Sequence, residues 1–312
     1  MRFERLDLNL LVALDVLIED RSVSLAARRL FLSQPALSGA LNRLRDYFGD
    51  ELLVPSGRQM ILTPKAEELR GPVREALMLI KAKITTPLAF DPATAERNFT
   101  IVASDYAFHV LGAGVIAAAA RIAPGVTFDF EPTGRRASER FERGESDLLL
   151  TISTFMSDGH PHVPLFTDEH AVICWSEGIH KDGISQDSFF AAGHAVAFFG
   201  GDRHPAFTET YFAQQSINRK IELRLPSFTA LPIAIVGTDR LATMYRRHAE
   251  HFARTLPIAV FDPPVTLPTV REDVQWHSLR SADAGLKWLI ELVREQARKM
   301  PNPLDEDAAS PA

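Results

Sequence analysis

The stretch RSVSLAARRLFLSQPALSGALNRLR (21–45) holds five arginines, Arg21, Arg28, Arg29, Arg43 and Arg45, and no acidic residue, in a chain of 312 residues with a formal net charge of −6. An acidic protein therefore sets aside one cationic segment, and that segment reads as two short helices joined by a tight turn. Ser22 is placed to cap the first helix, where Ala26 and Ala27 permit close backbone approach, and Leu30 and Leu32 are expected to bury the turn. Ser33 is placed to cap the second, with Pro35 in its first turn, where a missing N–H is tolerated. Leu37, Leu41 and Leu44 form a buried stripe and leave Gln34, Ser38, Asn42, Arg43 and Arg45 on the other faces. Such a surface suits a nucleic-acid backbone, and a helix that opens with Gln, Ser and Asn suits base edges in a major groove.

The flanks extend this reading. Asp7 is an N-cap for an earlier helix whose apolar face is Leu10, Leu11, Leu14, Leu17 and Ile18. Downstream, LLVPSGRQMIL (52–62) reads as two short strands around a Ser-Gly-Arg tip, the hairpin of a winged helix, with Arg58 at the tip for a groove or phosphate contact. Thr63-Pro64 opens a further helix in which Leu69, Val73, Leu77, Ile80 and Ile84 recur at spacings of three and four. That narrow seam is read as a dimer interface, with a kink expected at Gly71-Pro72; a helix lying on its own domain is the plainer alternative.

In this order, LDLNLLVAL (6–14), SVSLAARRLFLSQPALSGALNRLR (22–45) and DELLVPSGRQMILTPKAEEL (50–69) resemble the N-terminal domain of LysR-type transcriptional regulators. The similarity continues through VREAL (73–77), FDPATAERNFTIVASDYA (90–107), RGESDLLL (143–150), LFTDEHAVIC (165–174) and DVQWHSLRSADAG (273–285). It is most like the branch that contains the rhizobial nodulation regulators and regulators of aromatic-compound breakdown. Gly39 and Pro55 stand where the family often has arginine, which leaves base reading to Gln34, Ser38, Asn42 and Arg58. The resemblance implies a winged helix-turn-helix over 1–63, a dimerisation helix over 64–89 and an effector-binding domain over 90–300. It also implies promoter DNA, a small aromatic effector (phenolic or flavonoid-like), RNA polymerase and further copies of the chain, as a dimer or tetramer, as partners, with activation as the outcome.

Beyond the linker, apolar runs alternate with helical patterns. FTIVA (99–103), VTFDF (126–130) and LLLTI (148–152) read as strands separated by helices, which argues for an α/β fold with a parallel sheet. AVICW (171–175), AVAFF (195–199), KIELRL (220–225) and LATMY (241–245) make a second unit, and DVQWHSL (273–279) with a helix over 283–299 returns to the first. This matches the two-lobed, periplasmic-binding-protein-like module of the family, with lobe I over about 90–165 and 270–300 and lobe II over about 166–269. Ligands in such folds sit at strand C-termini, between lobes. Two helix starts, Ser104-Asp105-Tyr106 and Ser227-Phe228-Thr229, are expected to face each other there and offer backbone N–H groups. Tyr106, Phe155, Phe199 and Phe228 are candidate walls for a flat ligand, with Ser104, Asp105 and Thr229 as polar partners of a neutral phenol.

Other chemistries find little support. Gly112, Gly114 and Ala117 followed by VTFDFE (126–131) mimic a dinucleotide fingerprint with Asp129 or Glu131 as the ribose acid, but the preceding strand ends near Ala103, too early for it. An NAD(P)-dependent enzyme is the alternative this pattern leaves. His160-Pro161-His162 with His170 or His180 fits no zinc spacing, so no metal and no cofactor are expected. The single cysteine, Cys174, and a start that reads as a capped helix rather than a leader suggest a cytoplasmic protein. LGAGVIAAAA (111–120) is too short to span a bilayer, and PNPLDEDAASPA (301–312) reads as a disordered tail.

Overall fold

The structure, a computed structural model, describes residues 6–57, 59–80, 84, 89–199 and 204–300. The chain divides into two compact units, Met1–Pro87 and Leu88–Ala312.

In the first unit, α1 (Leu8–Asp20) is capped by Asp7, whose carboxylate accepts the Asn9 N–H at 2.9 Å. The Ser22 hydroxyl caps α2 (Val23–Arg29) and the Ser33 hydroxyl caps α3 (Gln34–Phe48), each accepting a third-residue N–H at 3.3 Å. Helix α3 stops at Gly49, whose φ of 64° is a left-handed conformation that glycine adopts without a Cβ clash. Strands β1 (Leu53–Ser56) and β2 (Gln59–Leu62) pair antiparallel as the expected hairpin, Leu53 opposite Leu62 and Ser56 opposite Gln59. Helix α4 (Pro64–Ile80) runs on through Gly71-Pro72. Leu14, Leu17, Leu37, Leu44, Leu52 and Leu53 are fully buried in the core of this unit.

Two expectations need correction here. Leu32 is exposed, Phe31 beside it is 96% exposed at φ 55°, and only Leu30 is half-buried. The turn is closed by the backbone instead, with the Leu32 N–H donating to the Ala27 carbonyl at 2.9 Å. The apolar seam of α4 is also used differently. Val73 is buried in the core of its own unit, Leu69 and Leu77 pack against that core, and Arg74 donates to Asp15 of α1 at 3.0 Å.

The second unit is two lobes, each a twisted sheet flanked by helices. Its strands in chain order are β3 (Arg97–Ala103), β4 (Val126–Pro132), β5 (Leu148–Ile152), β6 (His162–Asp168), β7 (His170–Trp175), β8 (Gly193–Phe199), β9 (His204–Pro205), β10 (Lys220–Leu225), β11 (Leu241–Tyr245), β12 (Ile258–Phe261) and β13 (Val270–Gln275). Lobe I has the order β4-β3-β5-β13-β6, and lobe II has β10-β8-β11-β7-β12 with β9 on β8. The α/β class is as read from sequence, yet neither sheet is purely parallel. Strand β13 runs antiparallel to both β5 and β6, and β7 runs antiparallel to both β11 and β12. The chain crosses between lobes twice, after β6 and before β13, and a strand that re-enters a sheet from the far lobe arrives in the opposite direction.

The helices that position the cleft follow the strands. Strand β3 leads into α5 (Asp105–Ala107), a π-helical stretch Phe108–Gly112 and α6 (Ala113–Ile122). Next come α7 (Arg135–Glu142), α8 (Gln186–Ala191), α9 (Phe207–Gln214), α10 (Ala230–Ile235), α11 (Arg246–Ala253) and α12 (Ala284–Arg298). Gly112 thus lies inside a helix, where a Cβ would stand 3.0 Å from the Phe108 ring and 3.2 Å from the Phe130 ring. Close packing accounts for this glycine, and it does not sit on a phosphate-binding turn.

Candidate DNA-binding face and effector cleft

On the N-terminal unit, Ser33, Gln34, Pro35, Asn42 and Arg43 are exposed along α3 and Ser38 is half-buried. They form one polar face that opens at the helix N-terminus. The arginines divide into two kinds. Arg28 and Arg43 are exposed, and Arg43 has only a long approach of 3.7 Å to Asp7. Arg29 is committed to Glu19 and Asp20 at 2.8 and 3.1 Å. Arg45 donates to the Glu51 carbonyl at 2.9 Å and the Leu53 carbonyl at 3.0 Å, and reaches the Asn42 amide oxygen at 3.4 Å. Arg45 therefore ties α3 to the hairpin, and both Arg29 and Arg45, expected at the DNA face, also make intramolecular contacts. Arg58 lies outside the described residues.

In the second unit, a cleft of about 570 Å³ opens between the lobes, within the range that holds a drug-sized molecule. Ser104, Tyr106, Phe155, Phe199 and Phe228 all line it, which brings together five of the seven residues singled out from sequence. The Phe199 and Phe228 rings meet at 4.9 Å, and Phe155 faces Phe207 at 6.3 Å. The apolar walls come from these rings because β8 ends at Phe199 and Phe228 precedes α10, both at the cleft edge of lobe II.

The polar half of the reading is revised. Asp105 and Thr229 bind each other instead of lining the cleft. The Asp105 carboxylate accepts the Thr229 N–H at 2.7 Å, the Thr229 hydroxyl at 2.6 Å and the Phe228 N–H at 3.2 Å, so a lobe I side chain caps a lobe II turn. The N–H groups expected to greet a ligand there are taken by the protein. Ser104 and Ser227 act as caps, accepting from Ala107 at 3.0 Å and Ala230 at 3.2 Å.

Behind the rings lies a buried polar cluster that sequence reading missed. The Tyr106 hydroxyl donates to Asp168 at 2.6 Å, and the Tyr106 and Tyr245 rings sit 4.4 Å apart. Burial raises Asp168 to about 6 against the opposing bonds from Tyr106 and the Glu169 N–H. Glu272 of β13 also lines the cleft, and burial, reinforced by the charges of Asp273 and Asp168, pushes its carboxyl up to about 8. In sequence, Glu272 is one of two adjacent acids in a polar stretch, REDVQ (271–275), and only the sheet register places it at the cleft end of the lobe. Among the described residues no group of side chains is arranged to hold a metal, and no helix is long and apolar enough to cross a membrane.

Residues 8–67 match the family described as "Bacterial regulatory helix-turn-helix protein, lysR family", and residues 93–298 match "LysR substrate binding domain". Nodulation protein D 1 of Rhizobium tropici is 39% identical over 310 residues, covering 98% of this chain and all of its own length. Among solved structures, full-length OxyR from Pseudomonas aeruginosa superposes with a TM-score of 0.69 at 18% identity, over 94% of this chain and 95% of that one. Full-length CbnR in complex with its target DNA superposes with a TM-score of 0.50 at 16% identity, over 94% and 100%. These relatives and fold neighbours are transcriptional regulators and not enzymes, so the dinucleotide alternative is set aside on two independent grounds.

Proposed function

Because the chain belongs to the LysR family of transcriptional regulators, in the nodulation-regulator branch, we propose that it activates promoters under the control of a small aromatic molecule held in the interlobe cleft. The observation that carries the effector half is the cleft itself, of ligand size and walled by Phe155, Phe199, Phe207 and Phe228. For the DNA half, the exposed polar start of α3 carries the reading. Gln34, Ser38 and Asn42 face bases, while Arg28, Arg43 and the wing residue Arg58 contact phosphates or the groove. The related fold of CbnR was solved with its target DNA, which supports this use of the head.

We place the divisions of the chain at 1–63 for the DNA-binding head, 64–89 for the linker and 90–300 for the effector domain, with RNA polymerase as the downstream partner. Because Leu69, Val73 and Leu77 serve their own head, self-association falls to the later positions, half-buried Ile80 and Ile84, which is 76% exposed. The test is binding to an upstream promoter fragment in rising salt, with and without simple phenols. Gln34→Ala is expected to cost about 1–3 kcal/mol and to relax preference at one base pair. Sedimentation of the Ile84→Asp variant is expected to show a smaller assembly. Unchanged DNA affinity in Gln34→Ala would remove the base-reading assignment, and unchanged size in Ile84→Asp would remove the interface.

A further inference from the structure

Phe31 fills a position that suits a different residue. Helix α2 ends in a turn closed by two bonds, from the Phe31 N–H to the Arg28 carbonyl at 3.1 Å and from the Leu32 N–H to the Ala27 carbonyl at 2.9 Å. That pair of bonds is a Schellman motif, which needs a left-handed residue where Phe31 stands, and the φ of Phe31 is 55°. Glycine is the usual occupant, because a Cβ is strained in the left-handed region. Phe31 takes on that strain, and at 96% exposure its ring has almost no packing inside the protein to offset it. Leu32 beside it is 47% exposed. A bulky residue held in a strained backbone, with so little of it covered, points to a use outside the chain.

The surroundings identify the partner. Phe31 lies two residues before Ser33, the cap of α3, at the end of that helix where Gln34 and Pro35 are exposed. It also stands inside the stretch 21–45, which holds five arginines and no acidic residue. One ring and one leucine fall far short of the roughly 800 Å² that each partner gives to a stable protein interface. A duplex needs no such area, because phosphate contacts to the neighbouring cations supply much of the affinity. A recognition helix reads base edges from its first turn onward, so a residue ahead of its cap meets the rim of the groove, where the sugars are. We propose that Phe31, with Leu32 beside it, packs on deoxyribose at the groove edge and gives the head an apolar contact with DNA that is independent of sequence. This rests on the reading of α3 as the DNA face and adds to it a residue that binds through carbon rather than through charge or hydrogen bonds.

The two closing bonds of the turn give this contact its precision. They fix the backbone of Phe31 against the end of α2, so the ring is presented from a set position and little of its freedom remains to be lost on binding. An apolar contact displaces water and no counterion, so it shifts affinity by the same factor at every salt concentration, whereas a cation on phosphate changes the slope.

Binding of the full-length protein to the upstream promoter fragment and to a scrambled duplex of the same length, each across a salt series, tests this. Phe31→Ala is expected to weaken binding about tenfold on both duplexes with the salt slope unchanged, a loss toward the low end for covering a phenylalanine side chain. Phe31→Leu keeps most of the affinity. Phe31→Gly loses as much affinity as Phe31→Ala yet melts no lower than the parent, because it relieves the left-handed strain; a residue that served only the fold would lose both together. Unchanged affinity in Phe31→Ala, a flattened salt slope, or a lower melting temperature in Phe31→Gly overturns the inference. So does a loss confined to the promoter duplex and copied by replacing its thymines with deoxyuracil, which would put the ring on a base methyl. A smaller assembly on sedimentation with DNA affinity intact would give the ring to a second copy of the chain and overturns it as well. If Gln34→Ala is also without effect, the DNA face of α3 falls too; a response to Gln34→Ala alone removes Phe31 and leaves that face standing.

Discussion

The two ends of the lobe I sheet treat buried charge in opposite ways. At the N-terminal end of β3, Arg97 binds Asp283 through two bonds of 2.7 Å and Asp147 at 3.3 Å, and Arg280 joins the same two carboxylates. Against the upward push of burial, the bonds from Arg97 and from the Leu286 N–H hold Asp283 at about 2. At the cleft end, Glu272 is buried without a partner and sits near 8. The Asp283 carboxyl, which caps α12 beside one end of the sheet, is held low, and the Glu272 carboxyl at the other end is raised to about 8. The first kind of site fastens α12 to the sheet. The second kind lies at the cleft, where burial and the charges of Asp273 and Asp168 raise the carboxyl.

The largest effect is expected where the paired end is broken. Asp283→Ala leaves Arg97 and Arg280 short of an acceptor and removes the cap of α12, a loss of about 3–5 kcal/mol on urea unfolding. Asp283 is lower in the folded chain than the ordinary value of 3.8, so its contribution is complete above pH 4 and disappears as pH falls through about 2. A loss below 1 kcal/mol at pH 7 would mean that the two ends do not differ in kind.

Glu272→Gln runs the other way. Its folded value lies above the ordinary 4.5, so the native state holds a proton that the unfolded chain releases, and stability declines between about pH 4.5 and 8. The glutamine has no such dependence. Its melting temperature is expected to match the parent at pH 4 and exceed it at pH 8; a constant difference across that range would place Glu272 in a polar, satisfied setting.

The Asp105 clamp falls between these two sites, since it is polar, paired and at the cleft edge. Asp105→Ala removes a charged acceptor from the Phe228 and Thr229 amides, worth about 1.5–3 kcal/mol locally. Faster hydrogen exchange at Thr229 with slower exchange preserved in β3 is the expected signature, and uniform loosening of the domain would assign Asp105 to general stability instead.

The smallest effect on stability separates the arginines of the head. Arg45→Ala is expected to cost about 2 kcal/mol of unfolding free energy by freeing α3 from the Glu51 and Leu53 carbonyls. Arg43→Ala leaves unfolding unchanged but flattens the dependence of DNA binding on salt by about one unit of slope. Equal salt slopes for Arg43→Ala and the parent would remove Arg43 from the DNA face.

The sequence by itself determined the elements whose signals are local. The caps at Asp7, Ser22 and Ser33, the stripe Leu37-Leu41-Leu44 and the alternation of FTIVA, VTFDF and LLLTI each depend on residues a few positions apart, and each lies in the expected helix or strand. The five cleft residues were legible because strand ends and helix starts in an α/β sheet gather on one side. Partner choice could not be read this way. Arg43 and Arg45 are two positions apart in one cationic run, yet one faces solvent and the other is spent on the carbonyls of Glu51 and Leu53. Asp105 looked like a ligand acceptor until Phe228 and Thr229, more than a hundred residues away, proved to occupy it. Glu272 gave no signal at all. Its place beside the cleft comes from β13 re-entering the sheet antiparallel to β5, and its neutral state comes from burial next to Asp168, a residue brought near only by folding. Hydrogen-bond and charge partners separated by a hundred residues are set by topology, and topology is a property of the folded chain alone.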